Sequence, residues 1–134
     1  MLLTDVSGTP VGVHIESASP HEVTLVESLV SQAQIDLPNR ARLLYDKAAD
    51  SNPLRERLRW QGMRLIAPAR AKRDGTRKRL TTRDQRYYLH RWKVERTIAW
   101  LKGFRRLCVR WEYHDHLHQG FWQLACLFII LKGF

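Results

Sequence analysis

The chain has 134 residues, enough for one domain with a modest core, and 23 Lys and Arg against 13 Asp and Glu give a formal net charge of +10. Its two cysteines stand in no CxxC-type motif, which argues against a disulfide framework or a zinc site and favours a reducing cytoplasm. The N-terminus lacks the pattern of a signal peptide, and the apolar run 124–131 is too short to span a bilayer, so no membrane association is expected.

The first part of the chain predicts a β-hairpin followed by a helix. Residues 1–5 and 11–17 have strand character and are separated by the turn pair Ser7-Gly8. The sequence Ser19-Pro20-His21-Glu22 has the form of a capping box with Pro at the first helical position. We expect a helix from there to about Gln34, with four apolar residues buried: Val23, Val26, Leu29 and Val30.

The middle of the chain predicts two further strands joined by a helix. Residues 42–46 fit a central strand that ends in the carboxylate of Asp46, and residues 63–67 fit another strand. Between them Ser51 can cap a helix that runs through Gln61 and is closed by Gly62. The order of elements predicts an α/β fold with one mixed sheet.

The remainder of the chain predicts a basic loop and two helices. The loop covers residues 67–82 and contains Arg77, Lys78 and Arg79. A long helix should follow and end or kink at Gly103, and a last, buried helix should cover about residues 117–131. We therefore divide the chain into a strand-and-helix core over residues 1–66, the loop, and C-terminal helices over residues 83–134.

Positive charge is concentrated in one block of the chain. Residues 55–110 hold 19 basic and 4 acidic residues, a local net charge of +15, which leaves −5 on the rest. A block of this density indicates a polyanionic partner, because a protein that neutralises phosphates releases their counterions. A surface charged only for solubility is the alternative, although the block also contains five Trp and Tyr residues.

Four residues of the long helix follow a distinctive spacing: Tyr88, Arg91, Glu95 and Lys102 are 3, 4 and 7 positions apart. At about 100° per residue they fall within an arc of roughly 60°, beside an apolar stripe of Tyr87, Val94, Ile98 and Leu101. This pattern resembles the Tyr-Arg-Glu-Lys signature of bacterial insertion-sequence transposases with a DDE catalytic domain. The resemblance implies a ribonuclease-H-like fold, a mixed sheet flanked by helices, of which this chain would be the later, truncated part.

The resemblance also implies the chemistry of the site. Such transposases use two Mg²⁺ ions, held by three carboxylates, for phosphodiester cleavage and strand transfer of the element. The stretch Tyr45-Asp46-Lys47-Ala48-Ala49-Asp50-Ser51 is similar to the family segment with the second acid, so Asp46 and Glu95 are the expected catalytic and metal-binding residues. The accompanying Asp50 is interpreted as local turn or helix-start chemistry.

Double-stranded DNA, both transposon ends and target, is the implied partner, and a cytoplasmic, nucleoid-associated location follows. Tyr88, Arg91 and Lys102 would contact or orient phosphates, Arg91 in a bidentate manner. Lys102 could equally be an end-of-helix lysine favoured by the helix dipole. Arg77, Lys78 and Arg79 are further candidate DNA contacts.

One feature of the family pattern is missing. The first family Asp lies in an Asp-Gly-Thr or Asp-Gly-Ser strand, which by the alignment of motifs would precede Met1, so the first strand is expected to be absent and the chain inactive alone. Asp5 is interpreted as a residue of the Ser7-Gly8 turn, with a catalytic part as the alternative. A decayed fragment and the downstream frame of a frameshifted element remain open as origins.

Two other functions remain open. The chain could be a non-catalytic DNA-binding or regulatory module that associates with full-length transposase or an upstream-frame product, or an independent metal nuclease. His114, His116 and His118 could suggest a metal site, with a solvated helix start as the alternative. The five Trp residues are expected mainly in packing, and Trp92 is the one to consider for DNA.

Overall fold

A computed structural model describes residues 1–16, 20–71, 73, 75–76 and 79–133 of the chain. These residues divide into two units. Unit 1 comprises Met1–Pro20, Leu25–Ile35 and Trp92–Phe134, and unit 2 comprises His21–Thr24 and Asp36–Arg91.

Unit 1 is built on the predicted hairpin. Strand β1 (Leu2–Thr4) pairs antiparallel with strand β2 (Pro10–Val13), with Leu2 opposite Val13 and an irregularity in register between Leu3 and Thr4. The turn between the strands contains Gly8 at φ +94°, a conformation that favours glycine. Helix α1 (Glu22–Ser31) follows, with its residues from Leu25 onward in unit 1. It buries Val26 and Leu29, whereas Val23 and Val30 are half-buried. It ends before Gln34, whose backbone N–H instead donates to the carbonyl of Val11 at 2.7 Å.

Unit 2 is a strand–helix–strand arrangement. Strand β3 (Arg42–Leu44), helix α2 (Asn52–Trp60) and strand β4 (Arg64–Ile66) follow in order, and β3 pairs parallel with β4. Helix α2 begins and ends as predicted, because the Ser51 hydroxyl accepts the N–H of Leu54 and Gly62 takes φ +74° after the last turn. Leu54 and Leu58 are fully buried and seat the helix on the strands.

The described strands form two separate sheets of two strands, so the prediction of one mixed sheet is wrong for the part of the chain that the structure describes. Antiparallel and parallel pairing are both present, but the hairpin pairs only with itself. The strands are three or four residues long, so each pair has few ladder hydrogen bonds.

The predicted long helix consists of three successive segments. Helix α3 (Thr82–Tyr88) belongs to unit 2, a 3₁₀ turn spans Leu89–Arg91, and helix α4 (Trp92–Lys102) belongs to unit 1. A single α-helix was therefore the wrong prediction. The shared face predicted for the four signature residues assumed a rotation of about 100° per residue along one α-helix. A 3₁₀ turn advances by about 120° per residue, so that assumption does not hold between Tyr88 and Glu95.

Helices α5 (Arg105–Cys108) and α6 (Asp115–Lys132) complete unit 1. Its core contains Leu101, Leu107, Ala125, Cys126 and Ile129. The prediction that residues 117–131 form a buried helix is wrong in part. One face packs on the core, and the opposite face leaves Leu124, Leu127 and Leu131 between 47% and 73% exposed. No helix among the residues described has both the length and the apolar character needed to cross a membrane.

Candidate functional site

Asp46 lies at the carboxyl end of the parallel strand pair. The strand ladder continues one residue beyond β3, where the Tyr45 N–H donates to the carbonyl of Ile66 at 3.0 Å. Asp46 follows and caps a 3₁₀ turn over Lys47–Ala49, its Oδ1 accepting the N–H of Ala48 at 2.7 Å. Asp46 is half-buried, and among the described residues its Oδ2 has no hydrogen-bond donor. One carboxylate oxygen therefore fixes the orientation of the side chain.

Asp50 holds the same turn from the opposite end. Its Oδ1 accepts from the Arg55 guanidinium at 2.9 Å and its Oδ2 from the Arg70 N–H at 2.7 Å. Arg70 in turn donates to the carbonyls of Lys47 and Ala48. Burial acts to raise the pKa of Asp50, but the donors Arg70 and Arg55 outweigh it and the pKa is lowered. The role of Asp50 is wider than the predicted local turn, because it ties the Asp46 turn to the basic loop.

Tyr88 and Arg91, the first two signature residues, are neighbours in unit 2. The Arg91 guanidinium carbon lies 5.7 Å from the centre of the Tyr88 ring, and both side chains are half-buried. The helix that precedes them is anchored at its start, where the Thr81 hydroxyl accepts the N–H of Asp84 at 3.2 Å. The buried Asp84 carboxylate also accepts from Arg64 of β4 at 2.7 Å.

The exposed side of α3 carries a groove that the sequence reasoning missed. It has a volume of about 500 Å³ and is lined by Thr82, Arg83, Arg86, Tyr87 and His90. The Arg42 guanidinium carbon lies 4.5 Å above the Tyr87 ring, and a hydrogen bond from Arg83, together with the charge of Arg42, lowers the pKa of Tyr87. Tyr87 was predicted in an apolar stripe, but here it lines a cationic groove. Part of the signal was readable in the spacing, since positions 83, 86 and 87 share a helix face.

Glu95 and Lys102 are exposed on α4 in unit 1. They are seven positions apart, so they lie on one side of the helix. Leu101 of the predicted apolar stripe is fully buried, whereas Val94 and Ile98 are half-buried. Trp92, considered for DNA, is 50% exposed, and the Arg96 guanidinium stands between its ring and that of Trp100, at 5.0 and 4.7 Å.

A set of contacts that we call the turn clamp fixes α4 to the hairpin. Three α4 side chains donate to three successive carbonyls of the turn: Lys93 to Val6 at 2.5 Å, Arg96 to Ser7 at 2.8 Å and Thr97 to Gly8 at 2.6 Å. Thr97 is fully buried. Lys93 and Arg96 count toward the basic block, but each therefore donates a hydrogen bond to the hairpin turn.

Asp5 is a turn residue, as interpreted from the sequence. Its Oδ1 accepts from the N–H of Ser7 at 2.8 Å, the hydroxyl of Ser7 at 2.7 Å and the N–H of Thr9 at 2.9 Å. Burial acts to raise the pKa of Asp5, but these hydrogen bonds outweigh it and lower the pKa. The carboxylate therefore has a structural part in the hairpin.

The predicted site residues fall in both units. Asp46, Tyr88 and Arg91 belong to unit 2, whereas Glu95 and Lys102 belong to unit 1. The proximity of Asp46 and Glu95 thus stays a prediction. Arg79 is exposed in the loop before α3, and Arg77 and Lys78 lie outside the described residues.

The three histidines near the start of α6 do not form a metal site. His118 is 7% exposed, and both of its ring nitrogens are engaged, Nδ1 with Glu112 at 3.3 Å and Nε2 with the Trp122 N–H at 3.0 Å. His114 and His116 are exposed and stack on each other with ring centres 5.4 Å apart. Across the described ranges, no cluster of three or more His, Cys, Asp or Glu side chains is arranged to hold a metal ion.

Comparison with known proteins identifies the family. A family model described as Transposase DDE domain matches residues 1–130, and the chain therefore belongs to that family. A curated relative, the putative transposase for insertion sequence element IS402 of Burkholderia cepacia, is 33% identical over 139 residues, which is 96% of this chain and 60% of the relative. The chain thus spans about 60% of the length of that relative. No solved structure matches the chain.

Proposed function

We propose that the chain is the Asp46- and Glu95-bearing part of a ribonuclease-H-like transposase domain that cleaves and joins DNA phosphodiesters with divalent metal ions. The observation that carries the proposal is the family match over residues 1–130 together with a complete Tyr88, Arg91, Glu95 and Lys102 signature. Such a protein works on double-stranded DNA, so we expect it in the cytoplasm, at the nucleoid.

Asp46 suits a metal ligand by its position and its bonding. Ligand sites of open α/β sheets lie beyond the carboxyl ends of the strands, and Asp46 stands two residues past β3. The bond from the Ala48 N–H holds one oxygen, and the Asp50, Arg55 and Arg70 contacts brace the turn around it. The carboxylate would therefore meet an ion with little loss of side-chain freedom.

Glu95 supplies the second carboxylate from α4. The turn clamp fixes this helix on one side, and Glu95 is exposed to solvent. Carboxylate oxygens are the ligands that Mg²⁺ prefers, so the chemistry of Asp46 and Glu95 fits the ion that the family implies. When bound, a pair of such ions activates the attacking oxygen and stabilises the leaving oxygen of an in-line displacement. Asp46 and Glu95 would hold such ions, and the third carboxylate is not assigned among these 134 residues.

The cationic residues of unit 2 would position the DNA backbone. The guanidinium of Arg91, held beside the Tyr88 ring, can donate two parallel hydrogen bonds to a phosphate. Arg83, Arg86 and Arg42 surround the α3 groove and would contact phosphates further along the duplex. Replacing Arg77, Lys78 and Arg79 with Ala should weaken binding about equally for unrelated sequences and flatten its salt dependence.

Metal-directed cleavage of the protein tests the two carboxylates without requiring DNA chemistry. Fe²⁺ takes the place of Mg²⁺, and ascorbate with peroxide then produces radicals that cut the backbone beside the bound ion. We expect cuts near both residue 46 and residue 95, lost in Asp46→Asn and in Glu95→Gln. The variants Asp36→Asn and Glu56→Gln remove the same charges from exposed positions and should keep both cuts. Cuts at only one of the two positions would refute a shared metal site.

A regulatory, non-catalytic DNA-binding module is the second candidate. It is favoured by Asp5, whose carboxylate is engaged in the turn. A module of this kind would bind duplex DNA equally well with and without Mg²⁺, and Asp46→Asn would leave both binding and Fe²⁺ cutting unchanged. A metal-dependent difference at Asp46 favours the catalytic role.

A further inference from the structure

Two large aromatic side chains are held in solvent by the segment between α5 and α6. Trp111 is 74% exposed and Tyr113 is 92% exposed, while Glu112 between them has only 5% of its side chain exposed. Large aromatic rings normally contribute most when buried, so exposing two of them on one segment forgoes that stabilisation. Neither residue belongs to the transposase signature.

The buried Glu112 explains why the two rings point outward. Its carboxylate pairs with Arg106 at 2.7 Å and with His118 Nδ1 at 3.3 Å. His118 Nε2 accepts the Trp122 N–H, so the proton of the neutral ring is on Nδ1, from which it is donated to Glu112. Burial acts to raise the pKa of Glu112, but the backbone donors and Arg106 lower it, and the carboxylate stays ionised.

The backbone on both sides of Glu112 is also fixed. The Arg110 guanidinium donates to the carbonyl of Glu112 at 3.0 Å and to that of Tyr113 at 3.3 Å, and it pairs with Asp115. The Tyr113 ring meets the edge of His114 with centres 5.2 Å apart. The exposed rings are therefore presented by a hydrogen-bonded segment, and little further ordering is needed to bind them.

The charges of the same segment favour an anionic ligand. Residues 102–116 contain four basic residues and two acidic residues, a net charge of +2 with the histidines neutral. Glu112 and Asp115 are paired with Arg106 and Arg110. The charge that no described carboxylate pairs with therefore belongs to Lys102 and Arg105, which are both exposed. Exposed π-faces and cations on one stretch of chain are the combination that binds unpaired nucleobases and their phosphates.

We propose that Trp111 and Tyr113 form a stacking site for unpaired bases of single-stranded DNA. A duplex keeps its base faces stacked on each other, so the site takes only bases that are already unpaired. Phosphates on either side of the stacked base are drawn by Lys102 and Arg105. The site is separate from Asp46 and Glu95, and binding to it requires neither metal nor cleavage.

The test compares a short oligothymidylate with a duplex of the same length, by fluorescence anisotropy of labelled DNA in buffer with EDTA. The double variant Trp111→Ala with Tyr113→Ala should lose about five- to 150-fold in single-strand affinity for each base stack removed, and change less than about twofold for the duplex. Trp111→Phe with Tyr113→Phe keeps both π-faces and should retain most of the affinity. Trp60→Ala is the matched control, because Trp60 is 92% exposed but lies on α2.

Several outcomes would overturn the proposal. An equal loss for single strand and duplex would mean that the segment contributes only general charge attraction. An unchanged single-strand affinity in the double Ala variant would also overturn the proposal. If that variant in addition lost self-association, the two rings would be part of a protein interface instead. These measurements are independent of Fe²⁺ cutting at Asp46 and Glu95, so failure of the stacking site and failure of the catalytic assignment can be told apart.

Discussion

Replacing Gly8 with Ala should destabilise unit 1, because the turn clamp closes on this residue. A Cβ at position 8 would stand 3.0 Å from the Arg96 guanidinium and 3.3 Å from the Thr97 hydroxyl. Arg96 has little room to withdraw, since its guanidinium lies between the Trp92 and Trp100 rings. The methyl group would therefore weaken the bonds from Arg96 and Thr97 to the turn carbonyls.

Two terms set the size of this effect. A non-glycine residue at φ +94° costs about 1–3 kcal/mol in backbone strain. Weakening one or two hydrogen bonds adds about 1–2 kcal/mol, since each contributes about 0.5–1.5 kcal/mol net. We expect a total of about 2–5 kcal/mol, a large part of the roughly 5–15 kcal/mol typical of a folded domain.

Gly75 separates the two terms experimentally. Its φ is +80°, but no heavy atom of the described residues lies within 4 Å of the position a Cβ would take. Gly75→Ala should therefore show only the strain term. In urea unfolding followed by tryptophan fluorescence, Gly8→Ala should lose about 1–2 kcal/mol more than Gly75→Ala, a further midpoint shift of roughly 0.5–1 M. Equal losses in the two variants would show that the clamp contributes nothing at Gly8.

Three further predictions concern the DNA surface, acid stability and thiol reactivity. Arg83→Ala with Arg86→Ala should lower duplex affinity and reduce the slope of log affinity against log salt by up to about two. Arg57→Ala with Arg59→Ala should lower the affinity and the slope by less. Equal losses in the two double variants would contradict a specific role for the groove. The folded state holds the proton of Asp50 less tightly than the unfolded chain, so its contribution to stability is present above the ordinary pKa of 3.8 and is lost as pH falls through the lowered value. Acid unfolding should accordingly show a smaller gap between wild type and Asp50→Asn at low pH than at neutral pH, and a constant gap would refute the linkage. Iodoacetamide should label the exposed Cys108 well before Cys126, because burial of Cys126 raises the pKa of its thiol to about 11. Peptide mapping by mass spectrometry can measure the two labelling rates, and equal rates would contradict the prediction.

Local signals in the sequence predicted local structure well. Ser51 and Gly62 bound helix α2 because a cap and a left-handed glycine act within one helical turn. Asp5 was interpreted as a turn residue for the same kind of reason, and its three accepted hydrogen bonds confirm it. The four-residue signature led to the family, which the match over residues 1–130 confirms.

Features that depend on distant parts of the chain were not predicted. The pairing of three-residue strands is decided by tertiary packing, so one mixed sheet was expected where two pairs exist. The 3₁₀ turn at Leu89–Arg91 contains no glycine or proline that would predict an interruption of the helix. Glu112 is buried by its contacts with Arg106 and His118, and no local sequence motif marks it for that role.

Several arginines of this protein hold backbone segments in place by hydrogen bonds, in addition to supplying positive charge. Arg55 donates to the carbonyls of Leu65 and Ala67, Arg70 to those of Lys47 and Ala48, and Arg96 to that of Ser7. The guanidinium groups of Arg55 and Arg70 each reach several acceptors at fixed angles, which the single ammonium of lysine does not reproduce. Exchanging these arginines for lysines would keep the net charge of +10 and its attraction for DNA. It would, however, remove hydrogen bonds that connect these segments of the chain. Substitutions that are neutral for charge are therefore not neutral for the fold.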